Sequence, residues 1–168
     1  DSSKLKQPPQ SLKELVERND LKIIYEDPRT STPGQGLLLW VKQVYGEKAP
    51  AAWEQLAKKT VTVTKGWSEA YGMFLKGQSD LVLSYTTSPA YHRLAEHNLQ
   101  YRAALFSEGH VRQVEVAAQL KNAAQPKLAQ QFMQFVLSDR FQNLIPEGNW
   151  MYPVTNVVLP KDFNQNET

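Results

Sequence analysis

Three hydroxyl side chains, those of Thr30, Ser31 and Thr32, immediately precede Pro33 at a predicted helix start. Proline suits the first turn of a helix, where its missing N–H group leaves no hydrogen bond unmade. The free N–H groups and partial positive charge of a helix N-terminus favour phosphate or carboxylate groups. Ser31 is therefore a candidate contact for an anionic ligand. The alternative is that Ser31 or Thr32 only caps the helix, and the two roles are compatible.

Aromatic residues form the second unusual set. Trp67 lies at a predicted helix start, and Trp150 lies in a predicted loop at residues 146–153. A ring face presented to a cleft would suit a flat cationic ligand through stacking and cation–π attraction, whereas plain packing is the alternative. Trp40 and Trp53 lie within predicted helices among Leu and Ala, and we predict that they pack in the core.

Two phenols, those of Tyr85 and Tyr91, flank a hydroxyl-rich segment after a predicted strand. Their spacing indicates hydrogen bonding to a polar ligand. Paired tyrosines also bind ferric iron as phenolates, but such sites usually add a carboxylate or histidine ligand. The neighbouring His92 would point away if residues 88–96 are helical. We therefore predict no metal site.

Enzyme motifs are missing from the sequence. It contains no cysteine, its three histidines are too scattered for a zinc cluster, and no nucleophile-elbow, zincin, Walker or dinucleotide-binding motif occurs. Glu108, His110 and Glu115 form the only titratable group resembling an acid/base cluster, and two of them alternate along a strand in a way typical of a solvated face. We predict no catalytic residue.

The composition predicts one folded globular unit. Apolar residues make up 41% and charged residues 21% of the 168, which excludes disordered, collagen-like and coiled-coil chains. The net charge of +2 leaves no basic footprint for nucleic acid. The longest apolar run, from Leu37 to Val41, is far shorter than the ~20 residues of a membrane span.

Helices and strands alternate along the predicted chain. Helices are predicted over residues 12–19, 33–45, 49–59, 67–76, 88–96, 127–136 and 140–144, and strands over residues 22–26, 60–63, 80–85, 101–106 and 111–120. This order indicates an α/β fold with a mixed, mainly parallel sheet covered by helices. Ligands of such folds bind beyond the carboxyl ends of the strands, so residues 27–33 and 85–91 are the expected site loops.

Four segments closely resemble the periplasmic thiamine-binding proteins, a group of type II solute-binding proteins. They are DPRTSTPG at residues 27–34, KGWSEAY at 65–71, LSYTTSPAY at 83–91 and GNWMYP at 148–153. The resemblance runs over nearly the whole sequence but covers only the second of the two lobes of those proteins. It implies that residues 1–160 form that lobe, that residues 161–168 form a frayed tail leading toward the first lobe, and that the first lobe is absent.

The resemblance implies a periplasmic protein without cofactor or catalysis, whose two lobes close around thiamine or a thiamine phosphate. Such proteins deliver their ligand to a membrane ABC importer. Ser31 matches the position that binds the phosphate or hydroxyethyl end of the ligand. The positions that match the aromatic and phenolic pocket of these proteins are Trp67, Tyr85, Tyr91 and Trp150.

Three alternatives stay open. The first is a lobe that binds ferric iron or another anion through Tyr85 and Tyr91. The second is an enzyme, because thiamine-degrading enzymes resemble the same fold, although a thiaminase of that type uses a cysteine nucleophile. The third is a dimerisation module, because the surface that would face the first lobe is exposed with its aromatic residues.

Overall fold

A computed structural model describes residues 1–164 and divides them into two units, each with its own internal packing. The first unit comprises Asp1–Thr86 and Gln100–Gln113, and the second comprises Thr87–Leu99 and the described residues from Val114 onward. The expectation of one globular unit came from length and composition, which do not decide whether the internal contacts form one group or two.

The first unit contains a parallel three-stranded sheet in the order β2-β1-β3. Its strands are β1 (Ile23–Glu26), β2 (Thr60–Thr64) and β3 (Leu81–Val82). The third strand is shorter than predicted, because only Ile23 and Ile24 of β1 pair with it. The mainly parallel α/β prediction is confirmed.

Four helices surround this sheet: α1 (Leu12–Glu17), α2 (Thr32–Tyr45), α3 (Ala49–Ala57) and α4 (Trp67–Leu75). A short 3-10 helix, Gly46–Lys48, joins α2 to α3. The predicted cap of α1 is confirmed, since the Ser11 hydroxyl accepts a hydrogen bond from the Glu14 N–H at 2.9 Å. Pro33 lies in the first turn of α2, as predicted.

The two faces of the sheet pack against different helices. Ile23 and Tyr25 belong to a core cluster with apolar residues of α1, α2 and α3. Side chains alternate along a strand, so Ile24 and Glu26 lie on the opposite face, which α4 covers. Trp40 and Trp53 are half-buried against the core cluster, which confirms their predicted packing role.

The second unit is helical over much of its length. Its helices are α5 (Ser88–Glu96), α6 (Pro126–Val136), α7 (Asp139–Gln142) and α8 (Ile145–Asn149). The first three were predicted, whereas α8 occupies part of a predicted loop. Within residues 1–164, no helix has both the length and the apolar character needed to cross a lipid bilayer.

Two predicted strands are absent from the part of the chain that the structure describes. Residues 101–106 and 111–120 form no strand ladder. The alternating apolar residues of the second segment remain exposed, with Val116 87% and Val114 62% accessible. Alternation creates a strand only where a neighbouring strand pairs with it and a packed layer covers its apolar face.

Residues 161–164, which belong to the predicted frayed tail, make packing and hydrogen-bond contacts within the second unit. Phe163 is 1% exposed, and its ring lies 5.6 Å from that of Tyr152. The Arg93 guanidinium donates hydrogen bonds to the carbonyls of Asp162 and Phe163, each at 3.1 Å. A buried aromatic ring and satisfied carbonyls hold this part of the tail in place, and residues 165–168 lie outside the described residues.

Candidate functional site

The loop after β1 is fixed on both sides. The Asp27 N–H donates to the Thr64 carbonyl at 2.8 Å and thereby extends the pairing of β1 with β2. The Thr30 hydroxyl donates to the Lys65 carbonyl at 2.6 Å, which joins this loop to the one after β2. Hydrogen bonds from Arg29 lower the pKa of Asp27 to about 2, so its carboxylate stays charged. These contacts hold the start of α2 in place.

Ser31 occupies the N-cap position of α2 and is buried, with 8% of its surface exposed. Its hydroxyl makes no capping hydrogen bond. Thr32 is already the first residue of the helix rather than its cap. The capping alternative is therefore not realised at either residue, and the N-terminal N–H groups of α2 receive no side-chain cap.

Three aromatic rings of the first unit meet at the start of α4, and we call them the Trp67 group: Trp67, Tyr71 and Tyr85. The rings of Trp67 and Tyr71 are stacked, with centroids 4.7 Å apart and planes 18° from parallel. The Tyr85 ring lies 6.3 Å from that of Trp67. The Tyr85 hydroxyl accepts a hydrogen bond from the Gln113 amide at 3.3 Å. The sequence analysis assigned Trp67 and Tyr85 to the site and placed Tyr71 only on a helix face. The i+4 spacing of Tyr71 from Trp67 is the sequence signal that the two rings lie side by side.

The other two predicted site residues lie in the second unit, and we call them the Tyr91 pair: Tyr91 and Trp150. Their rings meet edge to face with centroids 5.2 Å apart. Trp150 follows α8 with a φ of 53°, in the left-handed region, and its carbonyl accepts a hydrogen bond from the Thr87 hydroxyl. Tyr91 is 39% exposed, while the adjacent His92 is buried, with its Nδ1 at 2.5 Å from a Glu96 carboxylate oxygen.

The five predicted residues thus form separate sets. Trp67 and Tyr85 come together in the first unit, where Ser31 lies at the start of α2, and Tyr91 and Trp150 come together in the second unit. Within residues 1–164, no three His, Cys, Asp or Glu side chains converge as a metal-binding cluster.

Glu26 is a buried acid that sequence reasoning missed. Its side chain is 0% exposed, and neither carboxyl oxygen has a hydrogen-bond partner within the described residues. Burial raises the pKa of Glu26 from 4.5 to about 7. The only sequence signal is a glutamate at the end of an otherwise apolar strand.

Comparison with known proteins identifies the family. The family described as "Bacterial extracellular solute-binding protein" matches residues 2–147. The "Thiamine-binding periplasmic protein" of Escherichia coli (strain K12) is 68% identical over 98% of this chain and 51% of its own length. The protein of the same name from Brucella abortus biovar 1 (strain 9-941) is 53% identical over 98% of this chain and 50% of its own length.

A solved structure titled "Periplasmic thiamin binding protein" is 69% identical, with a TM-score of 0.95. The match covers 97% of this chain and 52% of that one, so the chain spans about half the length of the relatives it matches. The parallel α/β layer, the long match to the family and the near-identical backbone of a solved relative agree. This chain therefore belongs to the bacterial extracellular solute-binding proteins.

Proposed function

We propose that this chain supplies part of a binding site for thiamine or a thiamine phosphate. The observation that carries the proposal is the Trp67 group, a stacked indole and phenol with a second phenol beside them at the carboxyl end of a parallel sheet. Such ring faces attract flat cations. Support comes from relatives named for thiamine at 68% and 53% identity.

Ser31 is proposed to bind the opposite end of the ligand. Its hydroxyl makes no capping bond, and it lies where α2 presents free N–H groups. That arrangement would accept the hydroxyethyl group of thiamine or the phosphate of its monophosphate or diphosphate. On the second unit, the Tyr91 pair is proposed as a further aromatic contact, on the strength of its exposed ring and its resemblance to pocket positions.

The biological role that follows is transport. We propose a periplasmic protein that delivers its ligand to a membrane ABC importer and that carries out no catalysis. The remaining half of its relatives' length would supply the other lobe, which encloses the ligand. Ferric iron is not proposed as an alternative, because the relatives carry thiamine in their names.

Self-association is a further part of the proposal. Helix α6 has no buried residue, and three of its apolar side chains are strongly exposed: Leu128 (61%), Phe132 (53%) and Phe135 (42%). Apolar surface of this kind favours association. Light scattering is expected to detect a dimer that a Phe132→Ser, Phe135→Ser double variant loses, whereas a monomer at all concentrations would contradict this part.

Tryptophan fluorescence during titration with thiamine and its phosphates tests the binding function. We expect saturable quenching that weakens in a Trp67→Ala variant. A Trp53→Phe variant is the matched control, because Trp53 packs 5.8 Å from Tyr25 on the α3 side of the sheet. Quenching that Trp67→Ala leaves unchanged, or its absence at millimolar ligand, would overturn the proposal.

A further inference from the structure

Glu26 ends β1 between the first turns of two helices. In the sheet it is paired with Thr64, whose hydroxyl donates to the Gly66 carbonyl at 2.8 Å, immediately ahead of α4. On the other side, the start of α2 approaches so closely that a Cβ added to Gly34 would overlap the Glu26 carbonyl oxygen. Glu26 therefore lies at the carboxyl end of the central strand, where ligands of parallel sheets bind.

The side chain of Glu26 lies on the sheet face that α4 covers, because Ile23 and Tyr25 point to the opposite core cluster. Helix α4 carries Trp67 and Tyr71, two members of the Trp67 group, in its first turns. A buried carboxyl and an aromatic platform for a cation thus belong to the same layer of the first unit.

Among the described residues, no charged group of the surrounding elements compensates Glu26. Both of its oxygens lack a hydrogen-bond partner there. Strands β2 and β3 contain no titratable residue. The titratable residues on the helices packed against β1 are Glu69 and Tyr71 on α4 and Lys42 and Tyr45 on α2. Of these, Lys42 bonds near the far end of α2, to the Gly46 carbonyl and Glu47, and Glu69 would add a like charge.

A buried carboxyl without a partner costs stability, because folding removes it from water and returns no hydrogen bond. An apolar side chain at this position would pack without that cost in stability. A positive charge in the same layer would shift the carboxyl from its neutral to its ionised form, since an opposite charge favours the ionised carboxylate. A cationic ligand bound in this layer would therefore interact favourably with Glu26.

We propose that Glu26 is a charge-selecting residue of the ligand site in the first unit, protonated in the free protein and ionised when a cationic ring binds at the Trp67 group. On ionisation the carboxyl O–H bond breaks, its electron pair stays on the oxygen, and the proton passes to the buffer. This inference rests on the proposed function, because the thiazolium ring of thiamine supplies the positive charge. It adds a pH-dependent attraction for cations to the attraction that the aromatic rings themselves exert.

Calorimetric titration with thiamine in two buffers of different ionisation enthalpy tests the proposal, because the difference between the two heats counts the protons released. We expect release from the wild-type chain near neutral pH and none from a Glu26→Gln variant. A Glu54→Gln variant is the control, since it removes an exposed carboxylate of α3, on the other face of the sheet. It should release protons as the wild type does.

Affinity gives a second readout that a merely structural role would not produce. Above about pH 7, Glu26→Gln should bind thiamine about tenfold more weakly than the wild type, and the two should converge in mild acid, where Glu26 is protonated in both states. A neutral thiazole alcohol should bind both chains equally, whereas its N-methylated thiazolium salt should prefer the wild type above that pH.

The outcomes separate the two proposals. Thiamine binding by the wild type without proton release overturns the role of Glu26 and leaves the proposed function standing. Absence of thiamine binding to the wild type overturns both. If Glu26→Gln fails to fold, the proton count, measured on the wild type at several pH values around neutrality, still decides the result.

Discussion

The indole Nε1 of Trp67 donates a hydrogen bond to the Ser84 hydroxyl over 2.9 Å. This bond joins the first residue of α4 to the segment that follows β3, so the ring at the centre of the Trp67 group is held from two elements at once. A ring fixed before ligand arrives loses less freedom on binding than a mobile one. Ser84 is thus a positioning residue for the aromatic platform.

Replacing Ser84 by Ala should free the Trp67 ring. We expect the free energy of unfolding in urea to fall by about 1 kcal/mol, and thiamine binding to weaken about threefold because the ring must be ordered during binding. Ser68→Ala removes a hydroxyl elsewhere in the first turn of α4 and is the control. Equal behaviour of the two variants in both measurements would show that the bond does not position the ring.

Lys59 binds backbone carbonyls at the C-terminal end of α1. Its ammonium group is buried and donates to the carbonyls of Leu15 and Val16, at 2.9 and 2.5 Å. Helix ends leave such carbonyls without partners, so Lys59→Met should lower the free energy of unfolding by about 2 kcal/mol. Lys58→Met, at an exposed neighbour that bonds to the Gln55 side chain, should change it by much less in the same urea titration.

Glu26 should make the stability of the free chain depend on pH. Burial raises the pKa of its carboxyl from 4.5 to about 7, so the folded state holds a proton that the unfolded state releases between those values. The protonated Glu26 therefore adds to the free energy of unfolding, relative to the ionised form. This addition is fully present below pH 4.5 and is lost as the pH rises through about 7. Glu26→Gln should remove this decline from thermal unfolding curves and melt at a higher temperature than the wild type above neutrality.

The matched control for this measurement is again Glu54→Gln, which should keep the wild-type pH dependence. Other titrating groups contribute equally to both chains, so the difference between wild type and Glu26→Gln isolates the buried carboxyl. Parallel curves for these two chains across the window would contradict the assignment.

A substitution at Gly34 tests how closely α2 approaches β1. A methyl group at this position would overlap the Glu26 carbonyl oxygen and the Asp27 backbone, so Gly34→Ala should destabilise the chain by about 2 kcal/mol. Gly72 in α4 has open space where a Cβ would lie, and Gly72→Ala should instead stabilise the chain by about 1 kcal/mol. Opposite shifts of the urea midpoint are expected, and shifts of the same sign would contradict the overlap.

Local signals predicted α1, α2 and β2 of the first unit well. The Ser11 cap, Pro33 in the first turn of α2 and the β-branched residues of β2 depend on neighbours in sequence, which is why the predicted bounds of these three elements lie close to the observed ones. The segment at residues 111–120 has equally clear alternation and forms no strand, because pairing depends on a partner that the alternation does not reveal.

The candidate site was predicted in part for a similar reason. Residue type and loop position selected Trp67 and Tyr85, and the structure brings their rings together. Tyr71 and Glu26 were missed because their importance lies in what surrounds them. A tyrosine on a helix face and a glutamate at a strand end become notable only when one is stacked on an indole and the other has no hydrogen-bond partner within the described residues.

The division of the chain into two units that alternate along the sequence also bears on the order in which it folds. The polypeptide leaves the first unit after Thr86, returns at Gln100 and leaves again after Gln113. The Ser2 hydroxyl finds its partner, the Gln100 carbonyl, 98 residues later. Residues near Ser2 can therefore complete their contacts only when residues near Gln100 are available, and contacts this remote in sequence slow folding. A purified fragment of residues 1–99 should remain sensitive to protease, whereas a fragment of residues 1–113 should acquire protection in its first unit.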